Sequence, residues 1–180
     1  ECAQAGLAAQ RALSPEEISL YVGIPFCPTR CAYCSFVSNS VEKTFHLVEP
    51  YLEALLDEID QAAALVEELG LRVRSFYMGG GTPTTLSAEQ MDRLLGHLDR
   101  RFGLGRTVER TVEAGRPDTI TAEKLAVLRQ RGIDRISVNP QSMDDAVLAA
   151  IGRRHGGGDI RRAMELVDKA GFPHVNMDLI

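Results

Sequence analysis

Tyr21-Val-Gly-Ile-Pro-Phe-Cys27-Pro-Thr-Arg-Cys31-Ala-Tyr-Cys34 joins a short apolar run to three cysteines spaced C-x3-C-x2-C. The apolar run reads as a strand and the cysteines as the loop that leaves it. Three thiolates at this spacing can hold three irons of a [4Fe–4S] cluster and leave the fourth iron open to another ligand. An open iron suits a site that binds and cleaves a small molecule, whereas four protein ligands would only store an electron or brace the fold. The rival reading of the same spacing is a structural zinc, with His46 or a more distant residue as its fourth ligand. Zinc sites usually come as two C-x2-C-like pairs, and no second pair is present.

Outward from this stretch, apolar runs alternate with helical patterns. Strands are expected over residues 18–26, 73–78, 107–113, 135–138 and 174–180. Helices are expected over 51–69, from Ser87 to about 102, from Thr121 to about 131, over 144–151 and over 159–170. Ser87-Ala-Glu-Gln90 has the form of a capping box. Repeated strand–loop–helix units imply parallel strands joined by right-handed crossovers, an α/β fold. Five strands do not close an eight-stranded barrel, so part of an open barrel is expected. The first residue is not Met and the last strand stops without a following helix, so the chain reads as a piece of a larger protein.

Composition narrows the function. With 44% hydrophobic and 25% charged residues the chain is that of an ordinary globular protein. A net charge of −5, without a lysine or arginine cluster, argues against nucleic acid as partner. No apolar run approaches the ~18 residues of a membrane span, and the N-terminus lacks the features of a signal peptide. Three of the 4 cysteines are clustered rather than spread as a disulfide framework would spread them, which favours a metal site in a reducing compartment, the cytoplasm. Cys2, far upstream of the rest, reads as incidental.

Further motifs fall at the ends of successive strands. Gly79-Gly-Gly-Thr-Pro83 follows the second strand; it lets a ligand approach the backbone but is not a phosphate-binding loop. Glu113, Gln141 and Asp178 stand at or near the ends of later strands, where a carboxylate or amide can hold a ribose hydroxyl or an ammonium group. Arg153 can pair with a carboxylate, as can Arg154 and Arg161. His97 and His155 have no partner at ligand or triad spacing and read as surface residues; Phe76 and Met78 read as core.

With these residues in place, the chain resembles the radical S-adenosylmethionine (SAM) enzymes, in which C-x3-C-x2-C binds the cluster. More narrowly, Tyr21-Val-Gly-Ile-Pro-Phe-Cys27, Gly79-Gly-Gly-Thr-Pro-Thr84 and Arg135-Ile-Ser-Val-Asn-Pro-Gln-Ser142 resemble the oxygen-independent coproporphyrinogen III oxidases. Cys27-Pro-Thr-Arg-Cys-Ala-Tyr-Cys-Ser-Phe36 and Glu113-Ala-Gly-Arg-Pro-Asp118 look most like the HemZ branch of that family. The resemblance covers residues from about 18 to 180. It implies residues 1–17 as a lead-in and 18–180 as the first part of a (β/α)6-type partial barrel.

The resemblance also implies roles. Cys27, Cys31 and Cys34 match the cluster ligands. Tyr21, Gly80 and Glu113 match contacts to the cluster-bound SAM, Tyr21 standing where the reacting centre is expected, and Tyr33 matches an aromatic position beside it. Gly81, Thr82, Gln141, Arg153 and Asp178 match contacts to a second SAM. The implied reaction is oxidative decarboxylation of coproporphyrinogen III to protoporphyrinogen IX in haem biosynthesis, with a flavodoxin or ferredoxin as electron donor. Two departures stand out. The oxidase branch has a further cysteine where this chain has Phe36, and a histidine where it has Gly23. A haem-chaperone branch of the family also lacks that cysteine, so a chaperone that binds SAM and a cluster without decarboxylating anything is the alternative.

Overall fold

The computed structural model describes residues 2–11, 14–36 and 39–180; the Cys2 side chain, like Glu1, Ala12 and Leu13 of the expected lead-in, lies outside it. Five strands, β1 (Glu17–Ile24), β2 (Arg72–Gly80), β3 (Glu109–Gly115), β4 (Arg135–Gln141) and β5 (His174–Leu179), pair side by side in chain order, each parallel to the next. The helices longer than one turn are α1 (Cys2–Arg11), α2 (Val48–Glu68), α3 (Ala88–Phe102), α4 (Ala122–Gln130), α5 (Asp145–Ala150) and α6 (Gly157–Ala170). Strand order that follows chain order means that successive crossovers step in one direction. With a constant hand this lays the helices on one face of the sheet.

Alternation along the strands decides what each face meets. Val22 and Ile24, Phe76 and Met78, Val112 and Ala114, and Ile136 and Val138 are all buried. They form one core with Leu52, Leu55 and Ile59 of α2, Met91, Leu94 and Leu98 of α3, Leu125 and Leu128 of α4, and Val167 of α6. The intervening residues are polar and are tied sideways across the strands. Ser75 Oγ donates to Ser19 Oγ at 2.8 Å and Asn176 Nδ2 donates to Ser137 Oγ at 2.7 Å. A parallel sheet covered on both faces reads as continuous apolar runs. Here one face is core and the other carries hydroxyls, an amide and carboxylates.

Local chemistry sets the boundaries. Ser87 Oγ accepts from the Gln90 amide at 3.1 Å while the Gln90 side chain accepts from the Ser87 amide at 2.9 Å, the capping box expected at the start of α3. Thr121 caps α4 with a single bond, its Oγ1 accepting from the Lys124 amide at 3.3 Å. The helix expected from Tyr51 begins three residues earlier, at Val48, because Pro50 falls in its first turn, where the missing amide hydrogen has no acceptor to lose. Strands β2 and β4 run further than expected: Gly79 and Gly80 pair with Gly23 and Ile24 of β1, and β4 continues through Asn139 and Pro140 to Gln141. The helix α1 is an addition, in a segment expected only as a lead-in.

His155 corrects an expectation. Far from lying on the surface, its side chain is fully buried, with Nδ1 3.5 Å from Asp118 Oδ1. Two turns that are distant in sequence meet there, which no spacing rule anticipates. His97 is partly exposed and pairs with Asp60 at 2.9 Å.

Replacing Ser87 with alanine removes one half of the capping box and lowers the unfolding free energy by about 1 kcal/mol. Urea unfolding should show a lower midpoint with an unchanged slope, as expected for a cap that frays without altering the core.

Candidate functional site

Beyond the C-terminal end of β1 the chain enters a two-residue parallel ladder, Phe26–Cys27 against Asn39–Ser40. The cysteine loop lies between these two short strands and is pinned to the end of β2. The Gly81 amide donates to Ile24 O at 2.8 Å, the Thr82 amide donates to Phe26 O at 2.8 Å, and Thr82 Oγ1 lies 3.5 Å from Cys27 Sγ. Glycine is required where these chains meet. A Cβ on residue 81 would stand 2.7 Å from Phe26 O and 2.9 Å from Cys27 Sγ, and Gly80 has φ +105°.

A cavity of about 460 Å³ opens over the C-terminal ends of the strands, where parallel sheets place their ligands. Cys27, Cys31 and Cys34 line it, together with Tyr21 and Tyr33. So do Gly80, Gly81 and Thr82 from the end of β2, Glu113 from β3, Gln141 from β4, Asp178 from β5, and Arg153. The residues that the resemblance matches to cluster and SAM therefore line one space, whereas Arg154 and Arg161 are not part of its wall. The wall also includes Phe36, Gly115, Arg116 and Asn139, the last three not picked out individually beforehand. His46, the nearby candidate for a zinc ligand, is exposed and stands outside the wall.

Three features of this wall are costly for folding. First, Glu113 is half-buried, and Tyr77 OH donates to its Oε1 at 2.5 Å. Burial, seconded by the nearby Asp178, raises its pKa above the usual carboxylate range despite the Tyr77 hydroxyl and the Gly80 amide pulling the other way. The Tyr77 hydroxyl is pushed up in turn, by burial and then by Glu113. Second, Gln141 has φ 70°, the one non-glycine residue with positive φ among the described residues. Such a conformation carries a cost of about 1–2 kcal/mol and is concentrated at functional sites. Third, Arg153 donates through Nη2 to Tyr33 OH at 3.0 Å, yet its buried Nε and Nη1 have no hydrogen-bond partner among the described residues. Unmatched guanidinium donors beside a cavity suit a carboxylate of a ligand.

The three thiols lie half-buried. Among the described residues, no three histidine, cysteine, aspartate or glutamate side chains converge as a single ion requires. Thiolates that each ligate a different iron of a cluster need not converge so closely, and soft thiolates are the ligands that clusters take. The donor set fits an iron–sulfur cluster that takes one thiolate per iron.

The model of the radical SAM superfamily matches residues 21–180. The chain belongs to the radical SAM superfamily. It is 45% identical over 166 residues to the oxygen-independent coproporphyrinogen-III oxidase-like protein HemZ of Bacillus subtilis, a match that covers 92% of this chain and 33% of that protein. It is 34% identical over 164 residues to the haem chaperone HemW of Escherichia coli, covering 91% of the chain and 42% of the chaperone. The structure of coproporphyrinogen III oxidase (HemN) from E. coli superposes with a TM-score of 0.80 at 31% identity, over 98% of this chain and 40% of that one. The chain thus spans 33% to 42% of these relatives' length. The superfamily's cofactors are a [4Fe–4S] cluster and SAM, and the α/β architecture with five parallel strands is that of its partial barrel.

Two substitutions test the costly features. Because folding raises the Glu113 pKa, the folded state holds more protons than the unfolded one between the two values. Stability therefore falls as pH rises through that window, which opens at the unfolded value of about 4.3. Glu113→Gln should be more stable than the wild type at pH 7, with the gap closing below pH ~4; a gap equal at both pH values would contradict the raised pKa. Gln141→Gly should unfold at higher urea than Gln141→Ala, by about 1 kcal/mol, because only glycine relieves the positive φ.

Proposed function

We propose that Cys27, Cys31 and Cys34 hold the [4Fe–4S] cluster, and that the protein uses it for oxygen-independent oxidative decarboxylation of coproporphyrinogen III to protoporphyrinogen IX. The observation that carries this reading is the meeting of three thiols, a glycine backbone and unmatched polar groups on one cavity over the strand ends. The 45% identity to the HemZ protein supports the substrate class. When bound, cluster and SAM together supply a 5′-deoxyadenosyl radical, which takes a hydrogen atom from a substrate carbon.

The chain's own residues do the binding and positioning. Glu113, charged in the presence of a cation, accepts from the ammonium group of SAM, and the open backbone at Gly80 lets that group approach. Tyr21 is 60% exposed and Tyr33 46%, so both present ring faces at the cavity for the cofactor's flat parts. A second SAM is assigned to Gly81, Thr82, Gln141, Arg153 and Asp178, with the unmatched donors of Arg153 taking its carboxylate. Residues 18–180 act as the first part of the radical SAM core and residues 1–17 lead into it. The electron donor is a flavodoxin or ferredoxin, and the cytoplasm is the compartment that keeps these thiols reduced. No helix of the described residues is long and apolar enough to cross a membrane.

A second reading, a haem chaperone, is favoured by one observation. Phe36, 67% exposed and lining the cavity, stands where the oxidase branch has a further cysteine. The 34% identity to HemW is in keeping with it.

The test is an anaerobic assay of the full-length protein reconstituted with iron and sulfide, given coproporphyrinogen III, SAM, a reductant for SAM cleavage and a one-electron acceptor for the electron that each substrate radical loses with its CO2. Mass spectrometry should show loss of two carboxyl groups matched by 5′-deoxyadenosine. Cys27→Ala should lose the cluster and both products. An intact tetrapyrrole, with the cluster retained and haem bound, would replace the decarboxylase with the chaperone.

A further inference from the structure

Arg116 is a buried cation, 2% exposed, on the cavity wall. An arginine at that depth is destabilising unless each of its donors is matched. Nε and Nη2 donate to the two oxygens of Asp118 at 3.0 and 2.9 Å, and Nη1 donates to the carbonyl of Thr29 at 3.2 Å and to its hydroxyl. Thr29 lies between Cys27 and Cys31. The other gap between cysteines has its own anchor: the amide of Ala32, between Cys31 and Cys34, donates to Ile151 O at 3.1 Å.

These two anchors are joined behind the loop. His155, four residues beyond Ile151, has its buried ring 3.5 Å from Asp118 Oδ1 and its Nε2 3.4 Å from Pro140 O. Thr29, Arg116, Asp118 and His155 thus form a chain of side-chain contacts behind the cysteine loop, and the backbone from His155 back to Ile151 leads to the second anchor at Ala32. Burial works to raise the Asp118 pKa, but the His155 ring and the Arg116 guanidinium outweigh it and hold the carboxyl well below the usual range. The arginine therefore has a charged partner, and the fork is fixed in direction.

We propose that Arg116, backed by Asp118 and His155, is the positioning residue of the cysteine loop, setting the placement of Cys27 and Cys31 and with it the electronic state of the cluster. This rests on the assignment of that loop to the cluster. Reduction potentials of such clusters depend on hydrogen bonding, local charge and exposure, all of which change if the loop slackens. A point donor such as lysine cannot span Asp118 and Thr29 together, so charge alone does not substitute for the fork.

The experiment compares full-length wild type, Arg116→Ala, Arg116→Lys and Thr29→Val after anaerobic reconstitution with iron and sulfide. Iron content, the EPR spectrum of the reduced cluster and its midpoint potential are read out, with circular dichroism for folding. Arg131→Ala is the control. Its guanidinium makes the same two-pronged contact with Asp92, both bonds 2.7 Å, away from the loop. Arg116→Ala and Arg116→Lys should each retain less than half of the wild-type iron, with a shifted potential and altered EPR line shape. Thr29→Val should fall between them and wild type, while Arg131→Ala matches wild type. Should Arg116→Ala fail to fold, Arg116→Lys and Thr29→Val carry the comparison. Wild-type spectra and potentials in all three variants would overturn the positioning role and leave the cluster assignment standing. A wild-type protein that takes up no cluster would overturn both.

Discussion

The parallel register of β1 against β2 is the constraint on which the site depends. It sets Gly23 against Gly79 and Ile24 against Gly80, so that both strands finish at one level. The chain leaving β1 as the cysteine loop and the chain leaving β2 as the glycine turn then run in contact, close enough that a methyl group at residue 81 would strike Phe26 O and Cys27 Sγ. A slip of one residue would turn Val22 and Ile24 out of the core and carry Cys27 away from Thr82. The register is held by burial on one face, where Phe76 and Met78 are almost wholly enclosed. Hydrophobic packing on the helix side thereby fixes the position of sulfur atoms on the other.

The same logic explains what was legible beforehand. Parallel strands, the capping box at Ser87 and the residues at strand ends are local patterns with local causes, so hydrophobic period and end position place them. Because strands β1 to β5 pair in chain order, residues at successive strand ends, such as Glu113, Gln141 and Asp178, necessarily face one space. Arg116 and His155 were illegible for the opposite reason. Their partners are 87 residues away for Arg116 with Thr29, and on a different turn for His155 with Asp118. Each looks like an ordinary loop residue in a Gly-, Pro- or Arg-containing run. Only tertiary structure reveals that a buried charge is being matched.

Cost and function coincide along the cavity. Gln141 sits in a backbone conformation that disfavours any side chain, Glu113 is a carboxylate in a place that favours its neutral form, and Arg153 keeps buried donors unmatched. None of these helps the empty fold. Under the proposed assignment two of them are relieved by separate molecules, the cluster-bound SAM giving Glu113 a cation and the second SAM giving Arg153 an acceptor. That relief is how a site poorly suited to itself becomes well suited to its ligands.

The two proposed readings share their cofactor-binding residues and part company over what surrounds them. Under the proposed assignment the thiols, the glycine backbone and Glu113 would serve cluster and SAM in either reading, so their presence does not separate the two. Separation falls to positions that touch the cavity without holding a cofactor. Phe36 is such a position: an exposed ring can pack against a flat apolar surface but cannot exchange a proton or an electron with it. If decarboxylation occurs here, any such exchange is met elsewhere in the protein, and the ring at residue 36 contributes packing alone.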